Sequence, residues 1–408
     1  MRQGGARLWL AAALLAGASA LNFLDRQALS VLAPVITVEL AMSNADYGRA
    51  VSAFTLAYSV MFAGAGRLID RVGTRLGLGL SVAFWSLASA LHALARSGAE
   101  LAFFRALLGV GEGGCFPGVA RAVVETFPER QRALIMGIST TGASALGAVV
   151  APPLIAWSAA VLGWRGTFLA TGLLGALWVA AWFLFLYPPA RGKDRKAGAA
   201  RQPAARFPLR WLLAHRTVWG LALTRFLLDP AVYIYMFWIP QYLNRERGAS
   251  LEDIGRLAWI PFFTLGVSSC LGGAASDALL RRGWPAVRAR KLIMGMAALL
   301  TPISILAVWA PSAFGAVLLF GVLLLAHGFW MTNYMTLTTD VVPAGAVASV
   351  VGLAGMAGGV AGFAANLGAG HIVDALGFAP VFVACGLLYP VGYLVVLSFV
   401  HPVPARAA

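Results

Sequence analysis

Apolar runs close to membrane length recur along almost the whole chain, with short polar connectors between them. The plainest lie at 8–24, 51–65, 76–95, 169–186, 297–309 and 381–400. Roughly 20 apolar residues suffice for a helix to cross the hydrocarbon of a bilayer. With their flanks, the runs predict six spans in the first half, at 8–38, 46–69, 74–95, 100–124, 130–161 and 165–187. Six more follow at 217–243, 251–281, 288–309, 312–340, 346–375 and 378–400. Several exceed 25 residues, which implies tilt or extension beyond the bilayer.

Composition narrows the class. The chain is 60% hydrophobic and only 12% charged, against about 25% charged in soluble domains. Its mean hydropathy is +0.79. A soluble core of this size needs far more polar covering, so the expected fold class is an all-α polytopic membrane protein. Residues 1–7 are short and basic, but no small-residue cleavage site leads into a soluble domain, so the first span is expected to stay. Cys115, Cys270 and Cys385 all sit in apolar runs and are widely spaced, which suggests small buried hydrophobes and no disulfide framework or metal site.

The net charge of +15 raises the question of nucleic acid, and the placement of the cations answers it. They gather at Arg67, Arg71 and Arg75; at Arg121, Arg130 and Arg132; through 191–216; and at Arg281, Arg282, Arg288, Arg290 and Lys291. The connectors between are neutral or mixed, as in "NRERGASLED" at 244–253. Cations in every second connector are the positive-inside pattern, so those connectors and both termini are expected in the cytoplasm. The stretch 188–216, rich in Pro, Gly, Ala and cations, reads as a cytoplasmic linker between bundles at 1–187 and 217–408.

An internal repeat supports that division. "GRLIDRVGTR" follows the second span, with Gly66, Asp70, Arg71, Gly73 and Arg75. "GAASDALLRRG" follows the eighth, with Gly273, Asp277, Arg281 and Gly283. Each carries G-x-x-x-D, then a cation and a second glycine, which suits a tight helix-to-helix turn. The Asp can sit at a neighbouring helix N-terminus, where free N–H groups and the helix dipole favour an anion.

Charge within the spans is the candidate chemistry. A charge near mid-bilayer costs roughly 2.5–3.5 kcal/mol on the lenient insertion scale, so it marks a functional site by default. "LNFLDRQALS" at 21–30 places Asp25 and Arg26 side by side in the first span. At 100° per residue Ser19, Asn22, Arg26 and Ser30 form one polar stripe, while Asp25 is turned toward a neighbouring helix. In the fourth span Arg105 and Glu112 share a face, about 10 Å apart along the axis. Two cations and two carboxylates thus balance at membrane depth. They can be permanent ion pairs that fix packing, although a buried pair is weak evidence for stability. They can also be exchangeable: an Arg fork grips a carboxylate through two parallel hydrogen bonds, and a carboxylate released from its Arg can take up a proton.

Other polar groups are weaker candidates. Thr140 and Ser144 in the fifth span can offer hydroxyls to a cavity. Arg225, Asp229 and Tyr233 share a face of the seventh span, where Arg225 and Asp229 suit an internal ion pair. In the tenth, His327, Trp330, Asn333 and Tyr334 form a polar and aromatic stripe suited either to packing or to stacking on a pyranose. Gly352, Gly355, Gly358, Gly359 and Gly362 suit close helix packing or a gate. No catalytic motif is present, and "GVGEGG" at 109–114 lies within a spanning helix, not after a strand.

"GRLIDRVGTR", "GWRGTF" at 163–168 and two six-helix halves joined by a basic loop resemble the major facilitator superfamily over essentially the whole chain. A narrower resemblance, to its anion:cation symporters, rests on "NFLDRQALSVLAP", "FFRALLGVGEGGCFPG" and "RFLLDPAVYIYMFWIPQYL". "DIGRLAWIPF", "FWMTNYMTLTTDVVP" and "ASVVGLAGMAGGVAG" look most like the hexuronate permease branch. The resemblance implies twelve helices in two pseudo-symmetric bundles, the major facilitator fold, with a substrate site near the midplane. It implies anion binding at Arg26 and Arg105, proton coupling at Asp25 and Glu112, and a substrate-binding Tyr58. Thr140, Trp330 and Asn333 complete the expected substrate contacts.

The expectation is a proton-coupled importer of an organic anion such as a hexuronate, hexonate or hexarate, working by alternating access without cofactor or metal. It is expected as a monomer in the inner membrane, with lipid, substrate and protons as partners and no nucleic acid. Two rivals remain. A drug or metabolite exporter should carry a G-x-x-x-G-P motif that "GASALGAVVAPP" only loosely echoes. A ligand receptor that moves nothing should bring a soluble signalling segment, and the longest connector has about 30 residues.

Overall fold

The computed structural model describes residues 2–186 and 209–403. Most of the predicted linker, including Arg191, Lys193, Arg195, Lys196, Arg201 and Arg206, lies outside the described residues. Eleven helical stretches among those described are long and apolar enough to cross a membrane, and one of them, Arg130–Phe185, runs for 56 residues. That stretch is interrupted at Gly163, where φ is 69°, so it supplies both the fifth and the sixth predicted spans. The described residues form helices and turns, without strands. The chain divides into two compact units, Met1–Arg201 with Ser250–Trp259, and Gln202–Ala249 with Ile260–Ala408.

The first unit begins with α1 (Arg2–Glu39), α2 (Asn44–Val72), α3 (Thr74–Leu91), α4 (Gly98–Glu112) and α5 (Cys115–Thr126). It continues with α6 (Glu129–Gly137) and α7 (Ala143–Ala181), between which Ile138–Gly142 forms a π-helical turn. The fourth predicted span is one stretch, Gly98–Thr126, with a local break in the helical ladder at Gly113–Gly114 between α4 and α5, where both glycines keep right-handed helical backbone. Glu112 is the last residue before that break. Small residues set which helices approach closely. A Cβ on Gly109 of α4 would stand 2.5 Å from the Phe54 carbonyl oxygen of α2, and one on Gly172 of α7 would stand 2.7 Å from that of Ser86 in α3. The first half of α7 packs along α1, where Gln27 donates to the Ala148 carbonyl at 3.0 Å.

The second unit holds α9 (Arg216–Arg247), α11 (Ile260–Arg281), α12 (Ala286–Leu300), α13 (Ala313–Val341), α14 (Ala344–Leu376) and α15 (Ala379–Phe399). The short α8 (Leu209–Ala214) precedes α9, and α10 (Leu251–Leu257) belongs to the first unit. The second unit repeats the internal pairing of the first. Its first helix packs along its fifth, α9 with α14; its second along its fourth, α11 with α13; and its third beside its sixth, α12 with α15. The glycines of α14 receive side chains from α9: Gly358 leaves room for the Asp229 carboxylate and Gly362 for the Tyr233 ring.

Two sequence devices recur at matched places. Gly73 and Gly283 both take φ of 84°, a conformation in which any side chain is strained. Ser43 and Ser250 each accept a hydrogen bond from the backbone of the residue three further on, Asp46 and Asp253. Each Asp bonds back to the Ser backbone at 3.0 Å, completing a capping box. Asp70 does not cap α3. Gly73 at that helix start has no side-chain bond, and Asp70 pairs with Arg121 of α5, which also holds Glu125 at 2.7 Å. In the second unit Arg290 of α12 stands between Asp277 at 3.1 Å and Asp340 at 3.7 Å. Both turns thus hold a cation between two acids. Gly66 is half-buried and Arg71 exposed, while the Arg75 carbonyl accepts from the Trp182 indole at 3.0 Å.

"GWRGTF" closes the opposite end of the first unit. The Trp164 indole donates to Glu39 at 2.6 Å, and Arg165 pairs with the same carboxylate while donating to the Ala95 carbonyl at 3.2 Å. These bonds tie the ends of α1 and the α3 region to the helix that starts after Gly163.

Candidate functional site

Arg26 and Asp25, adjacent in sequence, face different neighbours. Helical rotation carries Arg26 to α4, where its Nη2 and Nε donate to Glu112 Oε2 at 3.0 and 3.2 Å. Nη2 also donates to Asn22 Oδ1 at 3.1 Å, one turn away on the same stripe. Asp25 turns toward α3 and the second half of α7. Its Oδ1 accepts from Ser89 at 2.9 Å, and Ser89 stands 2.9 Å from the Thr171 hydroxyl. The predicted stripe and the predicted rotation of Asp25 off it are both present.

Arg105 lies fully buried one layer from Arg26. Its Nη2 donates to the Arg26 carbonyl at 3.3 Å. Its Nε and Nη1 have no hydrogen-bond partner among the described residues, and neither does Glu112 Oε1. Buried polar groups are nearly always paired, so three open hydrogen-bonding positions around one ion pair mark a place built for more than packing. Asp25 pairs with hydroxyls, and Arg105 is not its hydrogen-bond partner.

Aromatic rings complete the surroundings of the two cations. The Arg26 guanidinium carbon is 4.5 Å from the Tyr58 ring centre, 5.0 Å from Phe23 and 5.2 Å from Phe54. That of Arg105 is 4.7 Å from Phe54. A ring face attracts a cation without consuming a hydrogen-bond donor, so the guanidinium edges stay available to an anion. Tyr58, predicted from the sequence, thus stands over Arg26. Phe54 was not predicted; its position one turn before Tyr58 on α2 is the signal that could have found it.

The π-helical turn beside α1 carries further hydroxyls. Thr140 is half-buried and donates to the Met136 carbonyl at 2.6 Å. Ser139 and Ser144 are buried with their hydroxyls unpartnered among the described residues, as is Ser19 on α1. Ser139 was not singled out in the sequence, because its orientation depends on a local underwinding that no spacing rule reveals.

The candidates of the second unit form a separate group. Trp330 is buried edge-on to Tyr389 and Tyr393, with ring centres 5.7 and 6.3 Å away. The Asn333 amide donates at 2.9 Å to the Gly272 and Phe329 carbonyls, joining α13 to α11, while its Oδ1 has no partner among the described residues. Arg225 and Asp229 pair at 2.7 Å. His327 Nδ1 lies 2.7 Å from the Tyr389 hydroxyl. No group of three or more His, Cys, Asp or Glu suited to a metal occurs among the described residues.

A family model described as "Major Facilitator Superfamily" matches residues 15–366. A hexuronate transporter of Escherichia coli is 28% identical over 97% of this chain and 95% of its own length. A probable L-galactonate transporter of the same organism is 30% identical, covering 95% of this chain and 88% of its own. Among solved structures, an inward-facing bacterial homologue of the lysosomal transporter Spinster superposes with a TM-score of 0.80 at 20% identity, covering 95% of each chain. A D-xylose-proton symporter superposes with a TM-score of 0.75 at 13% identity, over 97% of this chain and 98% of its own.

Proposed function

As the chain belongs to the major facilitator superfamily, we propose that it is a proton-coupled symporter importing a sugar acid across the inner membrane by alternating access. The observation that carries this reading is the buried Arg26–Glu112 pair, with two open donors of Arg105 beside it. Relatives named for hexuronate, galactonate and galactarate/glucarate transport support the substrate class. The positive-inside pattern supports cytoplasmic termini.

The chemistry follows from charge balance. Without substrate, Glu112 neutralises Arg26. A substrate carboxylate competes for that guanidinium, because Arg offers a planar fork that fits one carboxylate through two bonds. Once displaced, Glu112 is a buried carboxylate without its counter-ion, and taking up a proton removes the uncompensated charge. Substrate and proton then travel together with no net charge added beyond the original pair. Asp25, held by the Ser89 and Thr171 hydroxyls, is proposed as the second proton-coupling carboxylate. Tyr58 and Thr140 are proposed to contact the polyol, as are Trp330 and Asn333 of the second unit. Gly66, Asp70, Arg71, Gly73, Arg75 and Asp277 are proposed to govern the cytoplasmic turns during rocking. The carrier is proposed to work as a monomer.

Counterflow of labelled glucuronate, galactonate and glucarate into proteoliposomes tests this. Exchange of at least one acid, with accumulation when an inward proton gradient is imposed, is the expected result. No exchange of any of them removes the sugar-acid reading, and accumulation indifferent to the gradient removes proton coupling.

A further inference from the structure

A cavity of about 470 Å³ opens on the flank of the first unit, far from Arg26 in chemistry. Leu68, Ile69 and Val72 of α2, Leu80 and Phe84 of α3, and Val110 of α4 line it. Leu68, Val72, Leu80, Phe84 and Val110 are all more than a third exposed, so the groove is open to its surroundings along its length. It follows the last third of α2 toward the α2–α3 turn. An elongated apolar groove on a membrane-spanning face suits an alkyl chain.

The turn end of the groove supplies a charge. Arg71 is one position from Val72 and three from Leu68. At 3.6 residues per turn this places it on the flank of the lining face. Arg67, one turn back, is rotated a further ~40° away and lies off the lining face. Both are exposed, and neither forms an ion pair among the described residues. The acid within this turn, Asp70, is paired with Arg121 instead. One uncompensated guanidinium group, that of Arg71, therefore lies beside the end of the apolar groove, at the cytoplasmic surface expected from the charge pattern. Long Arg stems can reach along apolar surface while the head stays at the interface.

We propose that this groove is a binding site for an anionic phospholipid, with one acyl chain between α2 and α3 and the phosphate on Arg71. The chain supplies apolar burial and the cation supplies selection for a net-negative headgroup. Each cation near an anionic headgroup is worth roughly fivefold in binding.

Native mass spectrometry of the full-length protein tests the site, using equimolar dioleoyl phosphatidylglycerol and dioleoyl phosphatidylethanolamine. The purified chain should retain the anionic lipid in several-fold excess. Dihexanoyl phosphatidylglycerol, which has the headgroup without the long chain, should not compete. Arg71→Gln should lower the preference roughly fivefold while still retaining lipid, and Ala83→Trp, which fills the groove from α3, should reduce retention of both. Equal retention of the two dioleoyl lipids by the unaltered protein overturns the proposal. So does effective competition by the short-chain lipid, which needs no variant to fold.

Discussion

Arg26 directs two donors, Nη2 at 3.0 Å and Nε at 3.2 Å, at a single oxygen of Glu112, and leaves the other carboxylate oxygen without a partner among the described residues. This is not the two-oxygen fork that gives an Arg–carboxylate pair its full strength. In the proposed function, a pair held through one oxygen, beside a second Arg with open donors, is the one that exchanges for a substrate carboxylate.

Arg26→Lys should nearly abolish substrate binding although charge is kept. One ammonium cannot reproduce a planar fork, nor present its face to Tyr58 and Phe54 in the same way. Calorimetric titration of purified protein with glucuronate checks this, and unaltered affinity would remove the clamp role from Arg26.

Glu112→Gln should mimic the protonated carrier. Proton-driven accumulation fails while exchange of substrate across the membrane survives. Uptake against a gradient and counterflow, measured on the same proteoliposomes, separate the two; wild-type accumulation by the variant would show that Glu112 is not an essential coupling site.

Gly109→Leu should destabilise the first unit and lower transport indirectly. The Cβ alone would come within 2.5 Å of the Phe54 carbonyl oxygen, which is backbone and cannot rotate away. Overpacking of this kind costs about 1–3 kcal/mol. Thermal unfolding in detergent should show a lowered midpoint, whereas an unchanged midpoint would mean that α2 and α4 can separate freely.

Gly73→Ala should cost about 1–3 kcal/mol, the penalty for a side chain at φ 84° and ψ 153°, a region essentially only glycine occupies. The same change at Gly66, whose Cβ would meet nothing within 4 Å, should be nearly neutral. Comparing the two unfolding midpoints isolates backbone strain from loss of the turn's sequence.

The helices were legible because each apolar run must be long enough to cross hydrocarbon, and length is read directly from sequence. The polar stripe of Asn22 and Arg26 was legible for the same reason: helical rotation alone sets which residues share a face. Breaks within spans were not. Gly113 and Gly114 read as ordinary members of an apolar run, and the local break between α4 and α5 there coincides with close packing against α2. A Cβ on Gly113 would meet Met61 at 2.8 Å and the Phe62 backbone nitrogen at 2.9 Å. The pairing of Arg26 with Glu112, 86 residues away, was open among alternatives until helix packing placed α4 beside α1. Ser43 with Asp46 and Ser250 with Asp253 are written in the sequence as S-x-x-D at matched places, a short signature that carries far less contrast than the charge of the basic turns.

In the proposed function, a substrate carboxylate is what Arg26 and Arg105 await. Removing it from the substrate should leave a buried Arg unpaired, costing about 3–5 kcal/mol by analogy with broken buried pairs. That is a loss of roughly two to four powers of ten in affinity. Losing one hydroxyl should cost only about 0.5–1.5 kcal/mol where water can replace it. The direct measurement is competition against uptake of labelled glucuronate by glucose and by a series of deoxy-glucuronates. Glucose should fail to compete at concentrations where every deoxy acid still does; glucose competing as well as glucuronate would contradict the anion reading and make this a carrier of neutral sugars.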